Sequence, residues 1–145
     1  MSTPEIEATA DRLHSAAIHL LRHVRKEDAA SGISGAQLSV LSVLVFAGPQ
    51  TLGALAKADQ VTPPTMSQLV SALERRGLVR RRARDRRSIL VSATPEGRKL
   101  LQAGRRRRLK RLAKALGVLP PEKLALLHEA ADLVLNAAAS AEAEA

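Results

Sequence analysis

No cysteine occurs anywhere in the 145 residues, so disulfides, zinc-thiolate sites, catalytic thiols and thiol-based redox sensing are all excluded. Only metal sites built from histidine and carboxylates survive. Aromatics are reduced to Phe46, with no tyrosine or tryptophan. Readers of RNA or single strands stack bases on aromatic rings, so such a partner is disfavoured. Nowhere do 18 uncharged apolar residues follow one another, and the start MSTPEIEATADR lacks the apolar run of a secretory signal. The expectation is a soluble, cytoplasmic protein. Gly-rich phosphate loops, a nucleophile elbow and HExxH are also missing, and no Ser/His/Asp triad can be assembled from the sequence. Neither an enzyme nor a cofactor is expected. His19 and His23 stand i, i+4, but without organised carboxylates near them they read as exposed helix residues, not metal ligands.

Acids are what one part of the chain lacks. Of the 23 Lys and Arg residues, sixteen lie between Arg75 and Arg111, where Asp85 and Glu96 are the only acids. The remainder is slightly acidic, within a net charge of +9. A concentrated positive excess is a footprint for a polyanion, because each neutralised phosphate releases counterions. The competing reading is a solvated surface that only confers solubility.

What is present is organised around Val61 to Val79, VTPPTMSQLVSALERRGLV. Thr62 can cap a helix, Pro63 suits its first position, and Gly77 can supply the left-handed residue that ends it. Met66, Leu69, Val70 and Leu73 fall at i, i+3, i+4 and i+7, one apolar stripe at about 100° per residue. The opposite face carries Pro64, Ser67, Gln68, Ser71 and Arg75, with Thr65 on its flank. Exposed helix faces ordinarily favour Glu and Lys, strong helix formers, over Ser, Thr and Pro. A surface that gives up propensity for short polar groups points to close approach by a partner. Arg75, at the end of that face, is better placed for a phosphate than for a base.

From Pro4 to Lys26, Ile6, Ala10, Leu13, Ala17, Leu20 and Val24 alternate spacings of four and three, a heptad seam on a long helix. Ser34 and Gln37 have capping-box spacing ahead of a central apolar helix that Gly48-Pro49 stops. Thr51 can cap a short third helix whose Leu52, Leu55 and Ala56 face inward, and Asp59-Gln60 turns into the Thr62 helix. Two such helices make a helix-turn-helix, or else an ordinary helical hairpin in a bundle. Leu78 to Arg82 and Ser88 to Ala93 then read as a β-hairpin. A basic hairpin in this place is the wing of a winged helix-turn-helix, its Arg84, Arg86 and Arg87 suited to a narrow minor groove. Asp85 among them is expected to brace the side chain of Arg87; the plainer alternative is a turn residue.

Thr94-Pro95-Glu96 starts a fifth helix to Leu116. Its apolar face, taken from Leu101, Leu109, Leu112 and Leu116, places Arg105 inward, where Asp11, Glu129 or Asp132, or a ligand anion, would have to pair it. A sixth helix from Pro120-Pro121-Glu122 carries Leu124, Leu127, Ala131, Val134 and Ala138 at matching spacings, with the tail ASAEAEA expected to fray. The seams of the first and last helices read as a dimer interface, or alternatively as packing on each other within one chain.

This order of parts resembles a MarR-type transcriptional regulator. The resemblance covers essentially the whole chain, and ALERRGLVRR and DRRSILVSATPEG, with their spacing from PPTMSQLV, are its most specific pieces. It implies a mainly α fold of about six helices with a small β-hairpin wing, dimeric. Residues 1–145 form one unit, with 1–30 and 117–140 as dimerisation helices, 34–93 as the DNA-binding lobe and 94–116 connecting them. It implies duplex DNA as partner, with Thr62, Pro64, Thr65, Ser67, Gln68, Ser71 and Arg75 as the reading helix's set. Arg84, Asp85, Arg86 and Arg87 are that of the wing, with Arg87 approaching the minor groove. Ligands of such regulators resemble phenolic or lipophilic anions, for which His14, Arg22, Phe46 and Arg105 are the candidates. Two departures stand out. Many relatives would carry Arg at the position of Gln68, and Gln suits adenine where Arg suits guanine. The run Arg105 to Arg108 is also unusually basic for that helix. The expected function is a repressor released from a pseudo-palindromic operator by a small molecule, acting on the nucleoid in the cytoplasm; the alternatives are a winged-helix protein-interaction module and a sequence-neutral nucleoid binder.

Overall fold

The computed structural model describes residues 2–144. In chain order the elements are α1 (Thr3–Arg25), a 3-10 turn (Asp28–Ser31), α2 (Gly35–Phe46), β1 (Gln50–Thr51), α3 (Leu52–Ala58), α4 (Pro63–Arg75), β2 (Val79–Ala83), β3 (Ile89–Ala93), α5 (Pro95–Leu116) and α6 (Pro121–Glu144). The chain divides into two compact units between Leu109 and Lys110, within α5. No single helix among the described residues is long and apolar enough to cross a membrane.

In the first unit, α2, α3 and α4 enclose a core with the sheet. Val40, Leu41, Leu44, Leu55, Met66, Val70, Leu73 and Val91 are fully buried, and Leu78, Val79 and Leu101 join them. The apolar stripe of α4 points inward as its spacing requires, with Leu69 partly buried beside it. Helix starts are fixed by side chains as well. Ser34 Oγ accepts the Gln37 amide at 3.1 Å while Gln37 Oε1 accepts the Ser34 amide at 2.8 Å, and Thr51 Oγ1 accepts the Ala54 amide at 3.1 Å.

The sheet runs β1-β3-β2, all antiparallel, with Gln50 and Arg81 both opposite Val91. Its two-residue first strand had no signature in the sequence. It is too short for an alternation pattern. The hairpin strands lie close to where the alternation put them: β2 is shifted by one residue at both ends and β3 starts one residue later. Thr94 locks the hairpin to α5: its amide donates to Leu78 O at 3.0 Å, its hydroxyl donates to Gly77 O at 2.6 Å, and Thr94 Oγ1 in turn accepts the Gly97 amide at 3.1 Å. Here the backbones come so close that a Cβ on Gly97 would stand 2.2 Å from Leu78 O. Only glycine fits there.

α1 buries no residue, and Ile6, Leu13 and Leu20 lie in the open. In the second unit α6 likewise buries none; Leu124, Leu127 and Val134 of its seam are exposed, and so are Leu126, Leu133 and Leu135 off it. The fraying expected of the tail is not found up to Glu144, where α6 ends. Ala137, Ala138, Ala139, Ala141 and Ala143 explain this, since alanine is the strongest helix former.

The α5 face also needs correction. Arg105 is exposed, whereas Arg107 and Arg108 are half-buried, and Arg108 Nε lies 3.5 Å from Asp28 Oδ1 in the 3-10 turn. The buried residues Gly97, Leu101 and Gly104 set the inner stripe, which Arg108 continues at i+4 from Gly104. Leu109, used to place Arg105 inward, is itself exposed and rotated the inferred face away from the true one.

Candidate nucleic-acid interface

α4 begins as its sequence dictates. Thr62 Oγ1 accepts the Thr65 amide at 3.3 Å and shares a 2.8 Å hydrogen bond with the Thr65 hydroxyl, Pro63 takes the first turn, and Gly77 follows the end at φ 71°. Thr62, Pro64, Thr65, Gln68 and Arg75 are exposed, and Ser67 and Ser71 are half-buried. Pro64, Ser67, Gln68, Ser71 and Arg75 line one open depression of about 610 Å³ along the outer face of the helix. Five of the seven helix residues expected to meet a partner are thus gathered in one surface, with Thr62 and Thr65 at its N-terminal rim.

The two serines are not free. Arg81 of β2 donates through Nη2 to Ser67 O at 2.8 Å and to Ser71 Oγ at 2.5 Å, and through Nη1 to Ser67 Oγ at 3.4 Å. Its Nε is 3.7 Å from Glu74 Oε1, and its amide donates to Glu74 Oε2 at 3.3 Å. One side chain therefore ties the wing to the outer face of α4. The sequence carried a signal for this that went unread. With alternating side chains, β2 puts Arg81 on the same side as buried Val79, so a cation is directed at α4, where Glu74 is the only acid. A second arginine does similar work at the helix end: Arg76 Nη1 donates to Gly32 O at 2.7 Å.

At the wing tip Arg84, Asp85, Arg86 and Arg87 are all exposed. Asp85 does not hold a guanidinium. Its Oδ1 accepts the backbone amides of Arg87 at 2.8 Å and Ser88 at 2.9 Å, the pattern of an Asx turn. The brace expected for the Arg87 side chain is a brace for its backbone, because the short Asp side chain reaches its own chain two residues on more readily than a long exposed arginine. Donation by the backbone amide of Arg87, with that of Ser88 beside it, holds the Asp85 carboxyl below its ordinary 3.8. Arg84, Arg86 and Arg87 project from a turn that carries its own anion, and among the described residues no ion pair engages them.

The ligand candidates are dispersed. His14 and Arg22 stand on α1, Phe46 at the end of α2 and Arg105 on α5, all exposed, Phe46 to 74%. Among the described residues no group of three or more His, Asp or Glu could hold a metal, and His19 Nδ1 lies 2.7 Å from the Ser15 carbonyl within α1.

A sequence profile of the MarR family matches residues 31–88, which span α2 to the wing tip. A helix-turn-helix-type transcriptional regulator of Mycobacterium leprae is 38% identical over 129 residues, covering 88% of this chain and 90% of the relative. The chain belongs to the MarR family. It is a DNA-binding transcriptional regulator by that membership, in a family of regulators and not of enzymes. A similar relative from Mycobacterium tuberculosis is 38% identical over 128 residues, covering 87% of this chain and 90% of the relative. Among solved structures, a transcriptional regulator protein from Pseudomonas aeruginosa PA01 has a TM-score of 0.81 at 30% identity, over 94% of this chain and 97% of that one. Transcriptional regulator Tm0710 from Thermotoga maritima shares the fold with a TM-score of 0.79 at 24% identity, over 90% and 94%. In MarR-family terms α3 and α4 are the helix-turn-helix and β2 and β3 the wing.

Proposed function

We propose that this regulator binds a pseudo-palindromic operator as a homodimer and represses transcription there, acting on chromosomal DNA in the cytoplasm. The observation that carries the reading is the pairing of a short polar α4 face with an arginine-tipped wing whose one acid is spent on its own turn. Pro64, Thr65, Ser67, Gln68 and Ser71 approach base edges in the major groove, Thr62 and Arg75 serve the backbone, and Arg84, Arg86 and Arg87 enter the minor groove. Asp85 shapes the wing. Residues 34–93 form the reading lobe, 94–116 the connection, and the seams within 1–30 and 117–140 the dimer contacts, supported by the exposure of their leucines. A two-fold dimer sets half-sites about one helical turn apart.

Release by a small phenolic or lipophilic anion is the finer part of the proposal. His14, Arg22, Phe46 and Arg105 supply cations and a ring, but all are exposed in the single chain. An apolar anion needs an enclosed site, so a second chain has to cover them. Such a ligand acts only if it binds two spacings of the reading helices unequally.

Titration of labelled duplexes in moderate salt tests the core of this. The expected result is a shift of one pseudo-palindrome at sub-micromolar protein, well ahead of random duplex. Gln68→Ala costs about 1–3 kcal/mol and relaxes one position per half-site, while Arg87→Ala weakens binding with little change in major-groove preference. Equal affinity for all duplexes with a steep salt slope would replace this reading with a sequence-neutral nucleoid binder. No duplex binding at all would leave a protein-interaction module.

A further inference from the structure

Arg81 touches both serines of the reading face, and what it does to Ser71 has a consequence for base preference. Serine ordinarily reads either kind of base edge, because its hydroxyl both donates and accepts and its hydrogen rotates to suit. Here the rotation is constrained from two sides. Arg81 Nη2 occupies an acceptor site of Ser71 Oγ. The usual inward acceptor for a helical serine, the carbonyl four residues back, is Ser67 O, which already takes the helical amide of Ser71 and receives Arg81 Nη2 at 2.8 Å. A carbonyl has two lone pairs, so Ser67 O is saturated. The Ser71 hydroxyl makes no other hydrogen bond among the described residues. With one lone pair engaged by Arg81 and that carbonyl full, its hydrogen finds an acceptor only on the side of the depression it lines with Gln68 and Arg75.

We infer that Arg81 is a specificity-determining positioning residue, fixing Ser71 as a donor so that its place in each half-site prefers a keto base, guanine or thymine, over an amino base, cytosine or adenine. At the 4/6 position of the major-groove edge, guanine O6 and thymine O4 accept, whereas cytosine N4 and adenine N6 donate and would meet the serine donor head-on; N7 is shared by both purines and does not separate them. Arg81 is itself held: its side chain is 21% exposed, and Glu74 engages both its Nε and its amide. It orients Ser71 without reading a base. Glu74 completes the device by keeping the fork in place.

The inference rests on the reading of α4 as the major-groove element. Selection from a randomised half-site library with the full-length protein separates the two. The expected wild-type pattern has an adenine preference from Gln68 and, at a nearby position, a keto preference of about fivefold, the size of one hydrogen bond. Ser71→Ala removes the keto preference and keeps the adenine one. Arg81→Gln does the same with Ser71 intact, because a freed hydroxyl reads either edge; Arg81→Lys, which keeps a charged donor, retains part of it. Thermal unfolding identifies any Arg81 variant that has lost its fold, and Ser71→Ala, which raises helix propensity, then decides whether the donor exists. No sequence preference in the wild type would remove the operator reading itself. An adenine preference with a keto preference that survives Arg81→Gln in folded protein would overturn the role of Arg81 alone. So would an amino preference at the Ser71 position.

Discussion

The reading lobe and the long helices α1 and α6 treat their apolar side chains in opposite ways. In the lobe, Met66, Val70 and Leu73 of α4 are fully buried under a polar outer face whose serines, caps and wing turn are already hydrogen-bonded. On α1 and α6 no residue is buried, and apolar side chains at heptad spacing stand in the open, Ile6 to 55% and Leu127 to 44%. The first arrangement is complete as a single chain and offers polarity to a polar partner. The second is incomplete, since a helix gains stability in water chiefly by burying its apolar face. The two regions therefore differ in kind: one supplies its own core, and the other leaves its apolar side chains exposed.

The largest effect expected comes from attacking the complete region. Leu73→Ala removes a fully buried side chain and should cost about 2–5 kcal/mol of stability. If the lobe supplies its own core, that loss is the same at every protein concentration in thermal unfolding. A loss that vanished at high concentration would show that the lobe also depends on a second chain, and the contrast between the regions would fail. The incomplete region should respond differently. Leu20→Lys at a half-exposed seam position leaves the lobe folded, with wild-type circular dichroism, yet halves the mass seen by light scattering and lowers operator affinity by an order of magnitude or more, because two half-sites are no longer held together. An unchanged mass would mean that the α1 seam is not the dimer contact.

Legibility in the sequence followed the same divide. The stripe of α4, the caps at Ser34, Thr51 and Thr62 and the glycine at 77 were readable because each is a local rule, satisfied within a few residues. What escaped depends on contacts across the chain. β1 exists only because Gln50 and Thr51 meet Val91 and Leu90. Arg108 turns inward to Asp28 because the inner face of α5 follows the small residues Gly97 and Gly104, which a search for leucines passes over. Arg81 reaches Ser67 and Ser71 only once the strand is laid beside the helix. The outward face of α4 therefore follows from spacing alone, while strand alternation only aims Arg81 at α4 and the engagement of the two serines depends on how strand and helix pack.

The smallest effect tests whether the lobe is self-supporting out to its tip. Asp85 donates nothing to a partner; its carboxylate accepts the amides of Arg87 and Ser88, and this holds its pKa below 3.8. For a group depressed in the folded state, the turn's stabilisation is present above 3.8 and is lost as pH falls through the lower folded value. Between pH 6 and 8 Asp85 should thus impose no pH dependence on DNA binding, and its influence should appear only in acid, where the Arg87 and Ser88 amide resonances titrate together. Asp85→Asn keeps a side-chain carbonyl able to accept the same amides, so the wing should retain its turn and nearly all of its affinity, whereas Asp85→Ala, with no acceptor, should lose more. Were the carboxylate instead an ionic brace for the Arg87 guanidinium, Asn would fail as badly as Ala and the deficit would shrink in high salt. Amide resonances indifferent to Asp85, or an Asn variant as weak as Arg87→Ala, would show that the wing tip takes its final form only against a partner.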